Sequence, residues 1–298
     1  MADVLTQLSE ALVARVAAAA PRLMAIRLGP VRALSAIAWR GDLVVTSEQA
    51  LPEAESYELA RAGSPTGAAR LVGRDPGTNV ALLRVAASGP DAGEPVAATG
   101  RIGAIALVLG ARTDAEPVAR MAIVREVGPG WRSMAGGAID QFLRLDLRAG
   151  RDTEGGPVID AAGGLIGMAT AGPRGRALVI PHATIERAVG QILTHGTLRG
   201  GWLGVGLQQV AIPSALHEAA GQESGLMVVS LAPQGPAEQA GLLPGDVLLA
   251  LDGEPMTRLR SVRGKLGRDR VGQEVALKLM RAGAMQMVKL TVGARPGR

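Results

Sequence analysis

The sequence predicts a mainly β protein of two domains, a many-stranded barrel or sandwich followed by a smaller α+β domain. Length is the first reason, since 298 residues suffice for about two separately cored domains. The second is the stretch from Leu23 to about Ala171. There, short aliphatic runs (LMAIRL, LSAIAW, DLVVTS, NVALLRV, AIALVLG, MAIVREV) are broken by Gly, Asp and Pro. Many short strands at that spacing fit a closed or layered β architecture. The third is a change of rhythm over the last hundred residues, where strands alternate with short helical stretches.

Residues 3–19 are expected as a helix. Asp3 can cap it, Val4, Leu5, Leu8, Leu12, Val13 and Val16 recur at three- and four-residue spacing, and Pro21 marks its end. The β runs follow. From 182 to 196, Ile185, Val189, Ile192 and Leu193 share a helical face and Gly196 falls at the C-cap, which reads as a connector between domains. The boundary is placed near Leu198–Gly200. Beyond it WLGVGL, GLMVVSL, DVLLALDG, EVALKLM and MVKLTVG are strands and PAEQAG a helical turn. Residues 257–267 are expected as a helix with Leu259, Val262 and Leu266 inward. The domains are therefore 1–22, 23–181, 182–199 and 200–298, with no internal repeat.

Apolar residues make up 47% of the chain and are almost all aliphatic; Tyr57, Phe142, Trp39, Trp131 and Trp202 are the aromatics. The cores must be Val/Leu/Ile/Ala packing. The net charge of +5 is spread evenly: residues 200–298 carry 11 Lys/Arg against 8 Asp/Glu. Without a run of like charges or basic–aromatic interleaving, a nucleic-acid partner is not expected. No cysteine is present, which is neutral about compartment. Met1-Ala2-Asp3 has no basic n-region, and Glu10 and Arg15 interrupt the one apolar candidate for a signal peptide. Nothing reaches the roughly 18 apolar residues of a membrane span. Read as it stands the chain is cytoplasmic, and periplasmic only if a leader was removed.

RGGWLGVGLQQV, followed by GPAEQAGLLPGDVLLALDGEPM, resembles the PDZ domain of bacterial HtrA-type proteins over roughly 200–294. Ala240-Gly241-Leu242, Gly245-Asp246-Val247 and Asp252-Gly253 match in type and order. The resemblance implies that Trp202-Leu203-Gly204-Val205 is a loop whose amides receive a peptide carboxylate, with the peptide adding a strand beside residues 205–208, Leu207 among them. Val262 and Leu266 would face its last side chain and favour apolar termini. The alternative for Leu203, Val262 and Leu266 is a plain core role.

The resemblance continues upstream, to the trypsin-like domain of the same family. Val44-Val45-Thr46-Ser47-Glu48-Gln49-Ala50 is similar to the VLTxxHV block, with Gln49 at the histidine. Asn79-Val80-Ala81-Leu82-Leu83 is similar to the D-[IL]-A-L-L block, with Asn79 at the aspartate. FLRLDLRAGRDTEGGPVIDAAGGLIGMAT is similar to the nucleophile block, with Glu154 at the serine. Residues 99–109 are similar to a further family strand, and ALVIPHATI to the family's strand-to-helix junction. The resemblance implies a double six-stranded β-barrel before the PDZ domain.

It also implies a lost activity. A serine hydrolase needs an alcohol, an imidazole to take its proton and an acid to orient that imidazole. Gln49, Asn79 and Glu154 supply none of these. Asp152 stands where the family has the glycine that shapes the oxyanion hole, beside Thr153 in the same altered turn, and a carboxylate at 154 repels a developing oxyanion. Ser47 and Thr153 are out of register; the first is expected to end a strand and the second to hold a turn. His182, His195 and His217 lie in segments away from the site. Glu48, Asp152 and Glu154 without His or Cys make zinc unexpected, and no metal or cofactor is assigned. Glu154 is expected to accept from the Gln49 amide, with Gln49 or Asn79 continuing the network.

The expected function is a catalytically silent HtrA-like protein that binds polypeptides with apolar C-termini, in protein quality control. An active protease paralogue and a homotrimer are the expected further partners. The alternative is a hydrolase with a non-standard site, using Glu154 as base or nucleophile.

Overall fold

The computed structural model describes residues 3–85, 93–197 and 201–294, apart from 260, 261, 263, 264, 268 and 269. Two compact units divide it: residues 1–131 with 138–198, and residues 132–137 with 199–298.

In the first unit, α1 (Val4–Ala19) precedes the twelve strands of two barrels. β1 (Leu23–Arg27), β2 (Ala33–Arg40), β3 (Leu43–Ser47), β4 (Ser56–Arg61), β5 (Ser64–Asp75) and β6 (Val80–Val85) close into a barrel of order 1-2-3-6-5-4. β7 (Ile105–Ala111), β8 (Pro117–Gly128), β9 (Phe142–Arg148), β10 (Pro157–Asp160), β11 (Leu165–Ala171) and β12 (Arg176–Pro181) close into a second, of order 9-12-11-10-7-8. Closure leaves neither sheet an open edge. Aliphatic side chains fill each lumen: Ile26, Val44, Leu59 and Leu83 in the first, Val108, Leu145, Val158 and Val179 in the second. A third cluster joins them, in which Trp39, Leu82, Leu109 and Met168 pack on α2 (His182–His195).

α2 is thus part of the first unit's core rather than a free connector. Ile185, Ala188, Val189 and Ile192 are its buried stripe, while Leu193 is 43% exposed and Ala188 takes its expected place. Spacing of 3, 4 and 7 from Ile185 selects Ala188 over Leu193. The expected boundary at 198–200 lies outside the described residues. α1 begins one residue late and Asp3 makes no side-chain cap. Leu12 and Val16 pack on the core, but Val4, Leu5, Leu8 and Val13 face outward.

The second unit is one antiparallel sheet of order 13-14-15-16-17: β13 (Val205–Ala211), β14 (Ser224–Leu231), β15 (Val247–Leu251), β16 (Glu274–Arg281) and β17 (Ala284–Thr291). Short strands Gly201–Trp202 and Gly293–Ala294 pair beside it. Pro236–Gln239 is the expected helical turn. The helix expected over 257–267 falls partly outside the described residues. Within it the Leu266 amide donates to Val262 O, and Leu259 is 48% exposed rather than inward.

Candidate functional site

Gln49, Asn79 and Glu154 are brought together between the two barrels. Gln49 sits in a 3-10 turn directly after β3, Asn79 directly before β6, and Glu154 in the turn that leads into β10. Asn79 holds a left-handed conformation (φ 61°), which asparagine tolerates better than most residues. Its Oδ1 accepts from the Gln49 backbone N–H at 2.7 Å.

Glu154 is the centre of the network and only 7% exposed. Its Oε1 accepts from Ser47 Oγ (2.5 Å), Thr170 Oγ1 (2.9 Å) and Gln49 Nε2 (3.1 Å). Its Oε2 accepts from the Ala171 N–H at 2.6 Å. Thr170 Oγ1 accepts in turn from Asn79 Nδ2 (2.7 Å) and Gln49 Nε2 (2.8 Å). Every group facing the carboxylate is a donor, the arrangement that an acceptor-only side chain requires. Ser47 does end β3, yet its hydroxyl is a member of this network.

The turn before β10 is closed on itself. The amides of Thr153 and Glu154 both donate to Gly150 O, at 3.3 and 3.2 Å. Gly155 N–H goes to Ala169 O and Gly156 N–H to Thr153 O. Amides spent inside a turn cannot also meet an oxyanion. Thr153 Oγ1 donates to Gly150 O and is 2% exposed, so it holds the turn. Asp152 points its side chain toward Arg120 at 3.6 Å. Gly155 has φ +79°, and a Cβ there would stand 2.3 Å from Ser35 O, so only glycine fits.

Glu48, Asp152 and Glu154 have separate partners: Arg74, Arg120 and the network. Burial pushes the Glu48 carboxyl up, and Arg74 only partly offsets it. Among the described residues no three His, Cys, Asp or Glu side chains converge on a point. His182 stacks on Trp39 with ring centroids 4.9 Å apart, and desolvation pushes it down. His217 Nε2 lies 2.7 Å from Ile212 O.

In the second unit the sheet order leaves β13 an edge strand, with β14 on one side only. Gly204, at φ +77°, turns the chain between Trp202 and β13. Leu203 O and Gly204 O accept from the Ala237 and Ala232 amides, which fixes this loop on the turn at Pro236. Leu203, Val262 and Leu266 are 2%, 7% and 8% exposed and belong to the core, while Val205 and Leu207 are half-buried against it.

A trypsin-like peptidase domain model matches residues 34–168 and a PDZ domain model residues 201–292. The structure resembles the solved HtrA-type protease AlgW with a decapeptide at 25% identity and a TM-score of 0.69, over 95% of this chain and 98% of that one. The chain carries a trypsin-like peptidase domain followed by a PDZ domain. A solved serine endoprotease of Yersinia pestis shares the fold (TM-score 0.69, 23% identity, 95% of this chain and 97% of that one). Among curated relatives, a probable periplasmic serine endoprotease DegP-like of Brucella suis is 29% identical over 85% of this chain and 50% of its own length. One of Pseudomonas fluorescens is 28% identical over 85% and 54%. The chain therefore spans about half the length of the curated relatives it matches.

These relatives correct one expectation. They are named periplasmic, which overturns the cytoplasmic reading of the N-terminal sequence. Among the described residues no helix is long and apolar enough to cross a membrane. Two site residues escaped sequence reasoning. Thr170 carried a signal, a hydroxyl near the end of the otherwise apolar LIGMATA. Ser35 is fully buried; its Oγ donates to Asp152 O at 2.7 Å and accepts from Ala111 N–H, supporting the turn from beneath.

Proposed function

We propose that this chain is an HtrA-type protein that holds polypeptides without cutting them. The observation that carries this reading is the buried Glu154 carboxylate, engaged by four donors at the position where the family pattern has its nucleophile. Gln49 is no base near neutral pH, and Asn79 brings no charge to stabilise an imidazolium. Binding is assigned to the PDZ unit, where the β13 edge offers backbone groups to an added strand and the Trp202–Val205 loop receives a terminal carboxylate. Val205 and Leu207 border that edge, and Val262 and Leu266 set a preference for apolar termini from the core side. A solved relative with a decapeptide supports the binding half of the proposal. The periplasm is the proposed place of work and misfolded or exposed chain ends the proposed cargo, with an active protease of the family and a homotrimer as proposed partners.

Two experiments test the two halves. Purified protein is incubated with unfolded casein and with a reactive ester probe, and no turnover is expected. Turnover that disappears in Glu154→Ala would establish the competing hydrolase. In a C-terminal peptide library, apolar ends are expected to be selected and amidation of the terminus to weaken binding. Affinity indifferent to amidation removes the carboxylate-loop assignment.

A further inference from the structure

Five arginines from three separate segments meet beside the Asp152 turn. Arg120 lies on β8, Arg148 ends β9, Arg151 is in the turn, Arg174 precedes Gly175, and Arg176 opens β12. Contacts draw these segments together. Arg120 Nη1 donates to Arg148 O at 3.4 Å, the Ala149 amide donates to Gly175 O at 3.0 Å, and a Cβ on Gly175 would lie 3.2 Å from Arg148 Nη2. All five side chains belong to exposed residues.

The surface is short of counter-charge. Asp152 faces Arg120 at 3.6 Å, and Asp146 Oδ1 accepts from the Ile123 amide. Among the described residues no carboxylate stands at ion-pair distance from Arg148, Arg151, Arg174 or Arg176. Two local costs fall on the same spot. Arg148 and Arg176 are direct cross-strand partners, a like-charge pairing that destabilises a sheet. Arg174 is held at φ 61°, a conformation that a long side chain rarely adopts and that marks functional segments when the surroundings impose it.

We propose that this surface docks an acidic polypeptide segment, a run of aspartates and glutamates in a partner protein, independently of the PDZ groove. Guanidinium groups bind carboxylates through paired N–H donors, and an external acid would relieve the Arg148–Arg176 repulsion. The patch contains no aromatic side chain on which bases could stack, so a protein acid fits it better than a nucleic acid.

The test is fluorescence anisotropy on the full chain, with a labelled peptide of alternating glutamate and alanine, its lysine counterpart and a thymidine oligonucleotide of matched charge. The glutamate peptide is expected to bind, more weakly as salt rises, and the lysine peptide not at all. Arg148→Ala/Arg174→Ala/Arg176→Ala should weaken binding about tenfold, the sum of three exposed charge contacts. Removing three exposed arginines elsewhere, Arg32→Ala/Arg70→Ala/Arg101→Ala, should change it less than about twofold. The proposal is overturned if the glutamate peptide does not bind, if both triple variants lose equally, or if the oligonucleotide binds more tightly than the peptide. A melting curve for each variant shows whether a loss reflects binding or unfolding.

Discussion

Glu154 converts a reactive position into a structural one. It ties the end of β3, the Gln49 turn and the end of β11 to a single carboxylate. Glu154→Ala strands two hydroxyls, an amide group and a backbone N–H in the interior, and should cost about 3 kcal/mol. In thermal melts that is a fall of roughly 5–10 °C for a unit of this size; an unchanged melting point would show the network to be energetically idle. Restoring Gln49→His, Asn79→Asp and Glu154→Ser together is expected to fall short of full protease activity in the casein assay, because the Thr153 and Glu154 amides remain turned onto Gly150. Full recovery would mean that the turn reopens once serine is in place. At this scale much was legible in sequence. The three block motifs identify Gln49, Asn79 and Glu154, and a lone carboxylate between barrels has to attract the donors near it. Thr170 showed only as a hydroxyl in an apolar run and Ser35 not at all, because their partners are 16 and 117 residues away and are set by barrel closure.

Individual elements differ in how far their patterning determines them. The strands are plain in the aliphatic runs, and both barrels and the PDZ sheet follow the expected order of elements. Where apolar spacing left a choice, packing decided it: Leu193 faces out, and α1 buries Leu12 and Val16 while exposing Leu5 and Leu8. The helix periodicity was real but could not say how much of α1 overlies the barrel. The arginine surface was hidden for the converse reason, since its members never adjoin in sequence and no run of like charge announces them. In the PDZ unit Gly204 is the element-level hinge. A Cβ there would sit 3.2 Å from Gly235 Cα at φ +77°. Gly204→Ala should lower stability by about 1–2 kcal/mol and weaken capture of C-terminal peptides, read by denaturant unfolding and by titration. Normal affinity in a folded Gly204→Ala protein would separate this loop from the ligand.

The two units carry separate acid-sensitive clamps. Burial pushes the Asp246 carboxyl up, but hydrogen bonds from Arg281 and the Leu243 amide, with the Arg281 charge, outweigh it and hold it below the usual range. At Asp140 burial is likewise outweighed, by Thr184 and Arg187. The folded state of each unit therefore takes up a proton less readily than the unfolded chain. That stability is present above about pH 4 and is lost as pH falls through the lower folded values. Asp246→Asn should cost about 3 kcal/mol at pH 7 and much less near pH 3, in unfolding monitored on the PDZ unit. An equal cost at both pH values would mean that packing, not charge, is what the substitution removes. Monitoring one unit alone is unusually direct here. Of three indoles, Trp39 is buried beneath His182 and Trp131 also lies in the first unit, leaving Trp202 as the sole fluorophore of its kind in the second. With Trp39→Phe and Trp131→Phe, indole emission would come only from the residue that opens the Trp202–Val205 loop. Peptide occupancy could then be followed by colour and quenching, with no label attached to either partner.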